Sequence, residues 1–277
     1  MKGKTCLITG ANSGLGLCAA KRFAALGARV VLVCRDKDRG ARALRDIAER
    51  APDAELELMI CDLASVASVK RFIVEFKASH ERLDLLFNDA AVWKKEFTRT
   101  ADGLETMFQV NFLAPFMLCE SLLDPLAKSP DPRIINIAAP TASMRLAMDA
   151  AYDAARFKVF SSFMRTKLAL AIYSVELMRS LSGKVSVFLV EPGPGKFRSN
   201  IARELSPILS FLMDIFAKTA DRAAQSIEYL ATLADPGIGK DRVFFGKKPR
   251  PMPAYWSDPE NGEKVVAFAK SLLSGIA

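Results

Sequence analysis

The chain is poor in histidine, in cysteine and in long apolar runs, and each shortage excludes a class of function. His80 is the one histidine. It falls at the polar end of a predicted helix with no cysteine or second histidine near it, which makes a poor zinc site, so no metal centre is expected. The five cysteines, Cys6, Cys18, Cys34, Cys61 and Cys119, are odd in number, widely spaced and set inside apolar runs. That pattern reads as buried thiols and not as a disulfide framework. The longest greasy stretch, Ile208 to Phe216, is broken by Asp214 and falls short of the roughly 18 apolar residues a bilayer span needs. The chain opens on Met-Lys-Gly-Lys and moves straight into a strand-like run, without the apolar segment and cleavage site of a secretory leader. A soluble cytoplasmic protein is the expectation.

Basic residues outnumber acidic ones by 39 to 31, a net charge of +8. They are scattered, clustering only at Lys247, Lys248 and Arg250 and with no aromatic residues between them. Nucleic-acid binding is therefore not expected. With 51% apolar and 25% charged residues, 15 glycines and 14 prolines, the composition is that of an ordinary globular protein and excludes disorder, collagen and coiled coil. The 277 residues suffice for one large α/β domain, 1–277.

Short β-rich runs alternate with amphipathic segments over the first 190 residues or so, and no solenoid repeat is present. Strands are predicted over Thr5–Thr9, Arg29–Cys34, Glu55–Cys61, Leu83–Asn88, Arg133–Ala138 and Lys184–Val190, with a last one near Arg242–Phe245. Several are apolar through much of their length, as strands buried on both faces are. The expected fold is a doubly wound α/β (Rossmann) sheet of about seven parallel strands with helices on both faces. Two segments break the rhythm, Pro140–Phe157 and Pro192–Lys218. Both follow strands at the end where such sheets bind ligands, so both are expected to border the pocket, the second (about 192–218) as a substrate loop. The proline-rich tail Lys247–Pro259 reads as a surface loop.

Directly after the first strand comes Gly10-Ala11-Asn12-Ser13-Gly14-Leu15-Gly16, opening a helix that runs to about Gly27. Glycines allow a tight turn and a close approach to a pyrophosphate, whose charge meets free N–H groups and the positive helix end. The GxxxGxG spacing resembles the short-chain dehydrogenase/reductase family, and the likeness extends along nearly the whole chain. Cys61-Asp62-Leu63 looks like the family's adenine-contacting segment, and Asn88-Asp89-Ala90-Ala91 stands in place of its Asn-Asn-Ala-Gly. Asn111 matches its active-site asparagine and Pro192-Gly193 its Pro-Gly after the sixth strand. Cys34-Arg35-Asp36, Thr100-Ala101-Asp102-Gly103 and Lys167-Leu168-Ala169 resemble the retinol dehydrogenase and protochlorophyllide reductase branch most.

The resemblance implies a cofactor site of Gly10, Asn12, Ser13, Gly14, Leu15, Gly16, Asp62, Leu63, Asn88 and Ala90, with Lys167, Pro192 and Gly193 toward the nicotinamide. Arg35 ends the second strand where NAD enzymes more often carry an acid. A guanidinium there suits a 2′-phosphate, so NADP(H) is the expected cofactor.

The family's chemistry rests on Asn, Ser, Tyr and Lys: tyrosine exchanges the proton of the carbonyl oxygen, serine hydrogen-bonds that oxygen, and lysine tunes the tyrosine and holds the ribose. Here Ala139 stands at the serine position and Phe163 at the tyrosine position, with Lys167 four residues on. Tyr152 is a competing candidate, 13 residues after Ala139 and followed by Arg156. Lys167, however, lies 25 residues before Pro192 and Arg156 lies 36 before it, and the shorter distance suits one helix and one strand. Phe197 replaces a further hydroxyl residue beyond the Pro-Gly, with Lys196 and Ser199 nearby as substitutes.

Alkoxide formation without these donors is disfavoured, unless Tyr152, Asp149, Asp153 or Glu191 acts as a displaced acid. The expected catalytic set is Lys167, Asn111, Tyr152, Asp149 and Asp153. The substrate set is Trp93, Ala139, Met144, Phe163 and Phe197, with Leu146, Met148, Phe211, Leu212 and Phe216 on neighbouring segments and Arg145 a further polar anchor. These residues point to an apolar small molecule, in specialised metabolism by family analogy. Three readings stand open, in this order: non-redox cyclisation or isomerisation with the cofactor as a pocket wall, NADPH-dependent reduction of an iminium-type acceptor, and silent cofactor binding. The sequence leaves room for a homo-oligomer.

Overall fold

The computed structural model describes residues 1–147, 154–191, 220–234 and 242–276. Among these, one sheet carries strands β1 (Thr5–Thr9), β2 (Arg29–Cys34), β3 (Leu56–Ile60), β4 (Leu85–Asn88), β5 (Arg133–Ile137), β6 (Ser186–Glu191), β7 (Arg242–Phe245) and β8 (Lys248–Pro251). Their order is β3-β2-β1-β4-β5-β6-β7-β8, parallel through β7. β8 turns back antiparallel to β7, pairing Phe245 with Lys248 and Val243 with Arg250.

The last feature corrects the expectation of a loop over Lys247–Pro259. Proline has no N–H to give a ladder, so Pro249 and Pro251 argue against a strand, yet an edge strand leaves one side without a partner and tolerates them. The tail then folds into a short helix, Ala254–Ser257, and a long one at the C-terminus.

The principal helices are α1 (Gly14–Ala25), α2 (Lys37–Ala48), α3 (Val66–Ser79), α4 (Ala114–Ser121), α5 (Val159–Ser180), α6 (Ala220–Thr232) and α7 (Pro259–Ser274). α4 continues a helical turn, Thr106–Phe108, and a π-helical stretch, Gln109–Leu113. The buried apolar residues form two clusters, one on each face of the sheet. α1, α2 and α6 supply Phe23, Ile47 and Ile227 to one. α3, α4, α5 and α7 supply Phe72, Phe116, Leu168 and Val265 to the other. The inner strands are buried on both faces, as β2 shows with Val30, Val31, Leu32 and Val33 at 2% exposure or less. Each such side chain contributes roughly 1.5–3 kcal/mol relative to exposure, which is why the sheet is the rigid element on which the site is mounted.

α6 lies against α1, joined by Arg22 to Asp221 and Glu228 at 2.9 and 2.7 Å. The chain leaves β1 toward one edge through β2 and β3 and returns to β4 on the other side of β1. The switch between β1 and β4 opens a crevice at the carboxyl ends of the strands.

Candidate functional site

A cavity of about 380 Å³ occupies that crevice. Five neighbouring strands deliver a residue to it where they end: Gly10 after β1, Cys34 on β2, Cys61 after β3, Asp89 after β4 and Ile137 on β5. The glycine loop makes one wall with Asn12, Ser13, Gly14 and Leu15. Gly10 has φ +71°, and a Cβ there would stand 3.0 Å from the Cα of Ala90. Gly16 stands behind the loop, where a Cβ would lie 2.8 Å from both the Gly10 carbonyl oxygen and Asp89 Oδ2. These two positions need glycine because the loop is pressed against the start of the β4 connection. α1 has no acidic residue in its first turn and no side chain capping it at Ser13, so its positive end is presented to the cavity.

At one end of the cavity stand Arg35, Asp36, Arg39, Asp62 and Leu63. Asp36 caps α2 by accepting the Arg39 N–H at 2.9 Å, a bond that holds its carboxyl below the usual range and brings the Arg39 guanidinium into the first turn beside Arg35. Asp62 likewise accepts the Ala64 N–H at 3.0 Å. At the other end stand Ala138, Ala139, Phe163 and Lys167. Phe163 and Lys167 are four apart on α5, one helical turn, so both point from the same face. The Lys167 ammonium donates to the Ile137 carbonyl at 3.1 Å. Burial lowers it to about 8, opposed by the charge of Asp89. Trp93 packs on Phe163 at 4.8 Å between ring centroids and on the exposed Phe160 at 6.4 Å.

Asp89 lies between the two ends. It keeps some surface open to the cavity, with protein packed around the rest. Oδ2 accepts the Gly16 N–H at 2.8 Å, and its own N–H and that of Ala90 donate to the Thr9 hydroxyl at 3.1 Å. Burial pushes the carboxyl up to about 7, moderated by Lys167 and the Gly16 N–H.

Of the expected cofactor residues, Gly10, Asn12, Ser13, Gly14, Leu15, Arg35, Asp62, Leu63, Ala90 and Lys167 are brought together on the cavity wall. Gly16 supports the wall from behind. Asn88 is withdrawn from it: its amide donates to Asn136 Oδ1 at 2.9 Å, and Asn136 donates onward to Ser174 at 2.9 Å, so it ties β4 to β5 and α5 inside the core. Asn111 is also withdrawn. Fully buried in the π-helical stretch, it spends its amide on Val92, accepting the N–H at 2.7 Å and donating to the carbonyl at 3.0 Å. It therefore shapes the Ala91–Val92 wall without facing the cavity.

Ala139 and Phe163 line the cavity; Trp93 reaches it through Phe163; Met144 packs on the core outside it. Arg145 lies over the Tyr255 ring at 4.4 Å, and the Tyr255 hydroxyl accepts the Leu146 N–H at 3.0 Å, so the C-terminal tail pins this loop. Glu191 is half-buried at the end of β6, raised by burial, and is not on the cavity wall. Tyr152, Asp149, Asp153, Pro192, Gly193, Phe197, Lys196, Ser199, Met148, Phe211, Leu212 and Phe216 lie outside the described residues.

Sequence reasoning missed Arg39 and Asp89. Arg39 was signalled by its place three residues after Asp36, a capping residue that sets it in the first turn of α2, and Asp89 by an ionisable group inside an otherwise neutral motif. The His80 ring stacks on Phe76 at 4.5 Å and its Nε2 meets Glu57 at 3.0 Å. No cluster of three or more metal-ligating side chains occurs among the described residues, and no helix among them is long and apolar enough to cross a membrane.

The sequence profile of the short chain dehydrogenase family matches residues 4–196, and the chain belongs to the short-chain dehydrogenase/reductase family. Human retinol dehydrogenase 14 is 35% identical over 253 residues, covering 84% of this chain and 75% of the relative. Human retinol dehydrogenase 13 is 30% identical over 282 residues, covering 98% and 85%. The likeness to the retinol dehydrogenase branch drawn from short motifs thus holds across most of the chain. A crystal structure of an uncharacterized protein from Mycobacterium paratuberculosis superposes with a TM-score of 0.77 at 24% identity, covering 99% of this chain and 94% of that one, which shows the shared fold. A metagenomic short-chain oxidoreductase solved in complex with NADP superposes with a TM-score of 0.59 at 26% identity, covering 84% and 93%.

Proposed function

We propose that this chain binds NADP(H) in the cavity and transfers hydride to an apolar acceptor whose product needs no proton on oxygen, with an iminium carbon as the acceptor. One observation carries the reading: the wall beside Lys167 is made by Phe163 and Ala139, neither of which has a hydroxyl to give. The residues present suit the dinucleotide. The positive end of α1 and the two tight glycines fit a pyrophosphate, Arg35 and Arg39 fit a 2′-phosphate, and Lys167 fits ribose hydroxyls. NADPH, when bound, supplies the hydride.

The chain's own residues do the rest. Phe163, backed by Trp93, offers an aromatic face that would hold a planar cation and exclude water. An iminium acceptor would take the hydride at carbon and return its C=N pair to nitrogen as a neutral amine, so Phe163 and Ala139 would be asked for no proton. A ketone would become an alkoxide, and losing its positioned donors typically costs two to three orders of magnitude in rate. That the curated relatives are named dehydrogenases supports redox chemistry over the non-redox alternative. Cyclisation or isomerisation against a bound cofactor is favoured by one feature only, the aromatic set of Trp93, Phe160 and Phe163.

Loss of NADPH absorbance with an imine panel, and none with ketones, is the expected result. Product without NADPH loss would move the assignment to cyclisation, and tight NADPH binding with no turnover would move it to silent binding. The double substitution Phe163→Tyr with Ala139→Ser is expected to open ketone reduction. If ketones already turn over in the unmodified protein, a displaced acid is present and the proposal fails.

A further inference from the structure

The carboxylate of Asp89 is not used in the reading above. Its position is unusual for its charge. It sits on the Gly16 N–H at 2.8 Å, inside the first turn of the helix whose positive end faces the cavity, and so close that Gly16 admits no Cβ. A pyrophosphate on the N–H groups of the Gly10–Leu15 loop and an ionised Asp89 on the Gly16 N–H would place like charges on one helix end. The family pattern this segment resembles has a neutral asparagine there.

The other groups that face Asp89 among the described residues do little to relieve the clash. Lys167, from α5, is the one cation that acts on it. Cys18, from α1, is a thiol raised first by burial and then by the charge of Asp221, with Asp89 a lesser contributor. β1 presents the neutral Thr9 hydroxyl. Arg35, Asp36, Arg39 and Asp62 stand at the far end of the cavity and do not contribute to its titration.

We propose that Asp89 is a proton-linked residue of the cofactor site: binding of the dinucleotide drives its carboxylate to take a proton from solvent, so that affinity falls as pH rises. The inference rests on the reading of the cavity as an NADP(H) site. The neutral acid can keep its acceptor bond to Gly16 and removes the charge opposing the pyrophosphate. With the free carboxyl at about 7 and only the protonated form competent, the linkage weakens binding about tenfold between pH 6 and pH 8.

The test is calorimetry of NADPH binding at pH 7 in two buffers of different ionisation enthalpy, on the full chain and on Asp89→Asn. The 2′-phosphate also titrates near this range, so the quantity read is the difference between the two proteins. Uptake of about half a proton more by the unsubstituted chain, and a flatter pH dependence of Kd in Asp89→Asn, are expected. Equal uptake in both, with both binding, overturns the inference and leaves the cofactor reading standing. No NADPH binding by the folded chain between pH 6 and pH 8 overturns the cofactor reading itself, and the inference with it. If Asp89→Asn does not fold, Asp89→Ser replaces it, and uptake by the unsubstituted chain that does not vary across pH 6–8 is again refuting.

Discussion

Asp89→Asn should change the pH dependence of folding even with no ligand present. The carboxyl titrates at about 7 in the folded chain against 3.8 for the free group, so across that window the folded state holds a proton that the unfolded state has lost. A raised acid pKa is a stability that drains as pH rises, at 1.36 kcal/mol per pH unit. From pH 5 to pH 7 the drain amounts to about 2.3 kcal/mol, an upper bound because the carboxyl keeps some access to the cavity. Lys167 acts in the opposite direction on the chain itself, and its response to the loss of Asp89 favours the variant. Its folded value is depressed, so it contributes stability as pH rises above about 8, and without its carboxylate partner that rise begins at lower pH. Asparagine keeps an acceptor for the Gly16 N–H and carries no charge. The stability gap should therefore widen in favour of Asp89→Asn by about 2 to 3 kcal/mol between pH 5 and pH 8, roughly 4 °C in Tm for a chain of this length. Urea denaturation at fixed ionic strength reads it without masking charges. Parallel pH profiles for the two proteins would show that the carboxyl is hydrated and ionised as an ordinary surface acid, and the burial argument would fail.

The guanidinium pair makes a second claim. Arg35→Ala and Arg39→Ala should each weaken NADPH binding by about tenfold, the worth of a charge-assisted contact, and leave NADH nearly untouched; equal losses for both dinucleotides, measured by fluorescence titration, would remove the 2′-phosphate assignment. The glycine loop makes a third. Gly16→Ala puts a methyl 2.8 Å from two oxygens, one of them the Gly10 backbone carbonyl, and should cost about 1–3 kcal/mol in urea stability, with Asp89 displaced and NADPH weakened; an unchanged midpoint would mean that the loop is not pressed against the β4 connection.

The sheet was legible where apolar runs end abruptly. β1, β2 and β7 begin and end where the sequence places them, because β-branched and aromatic residues are bounded there by turn residues. Expected bounds drift where a neighbour claims the backbone. The sixth strand was expected from Lys184, but the Lys184 and Val185 N–H groups close the end of α5 by donating to the Leu181 carbonyl at 2.9 and 3.1 Å, and pairing starts at Ser186. The fourth was expected from Leu83, whose N–H is taken by the Pro125 carbonyl at 3.0 Å. In both cases the competing acceptor lies outside the run whose periodicity was being read.

The site divides along a similar line. A loop that binds through its own backbone is readable from local spacing, and the glycine loop, Arg35 and Asp62 all reach the cavity as expected. The asparagines differ because an amide is defined by its partner. Asn111 and Val92 are 19 positions apart and Asn88 and Asn136 are 48 apart, so no local pattern reveals that the amide of Asn111 and the amide nitrogen of Asn88 are spent on structure. The Thr100–Gly103 motif is of the same kind: Asp102 accepts the Val66 N–H at 2.7 Å, holding the start of α3 from a distant loop. Among the described residues, the ionisable groups on the cavity wall nearest Ala139 and Phe163 are then Lys167 and Asp89, in place of a hydroxyl pair. An acceptor that demanded a proton on oxygen would have to draw it from this pair, and Lys167 already gives one of its protons to Ile137. An acceptor that takes hydride alone makes no such demand.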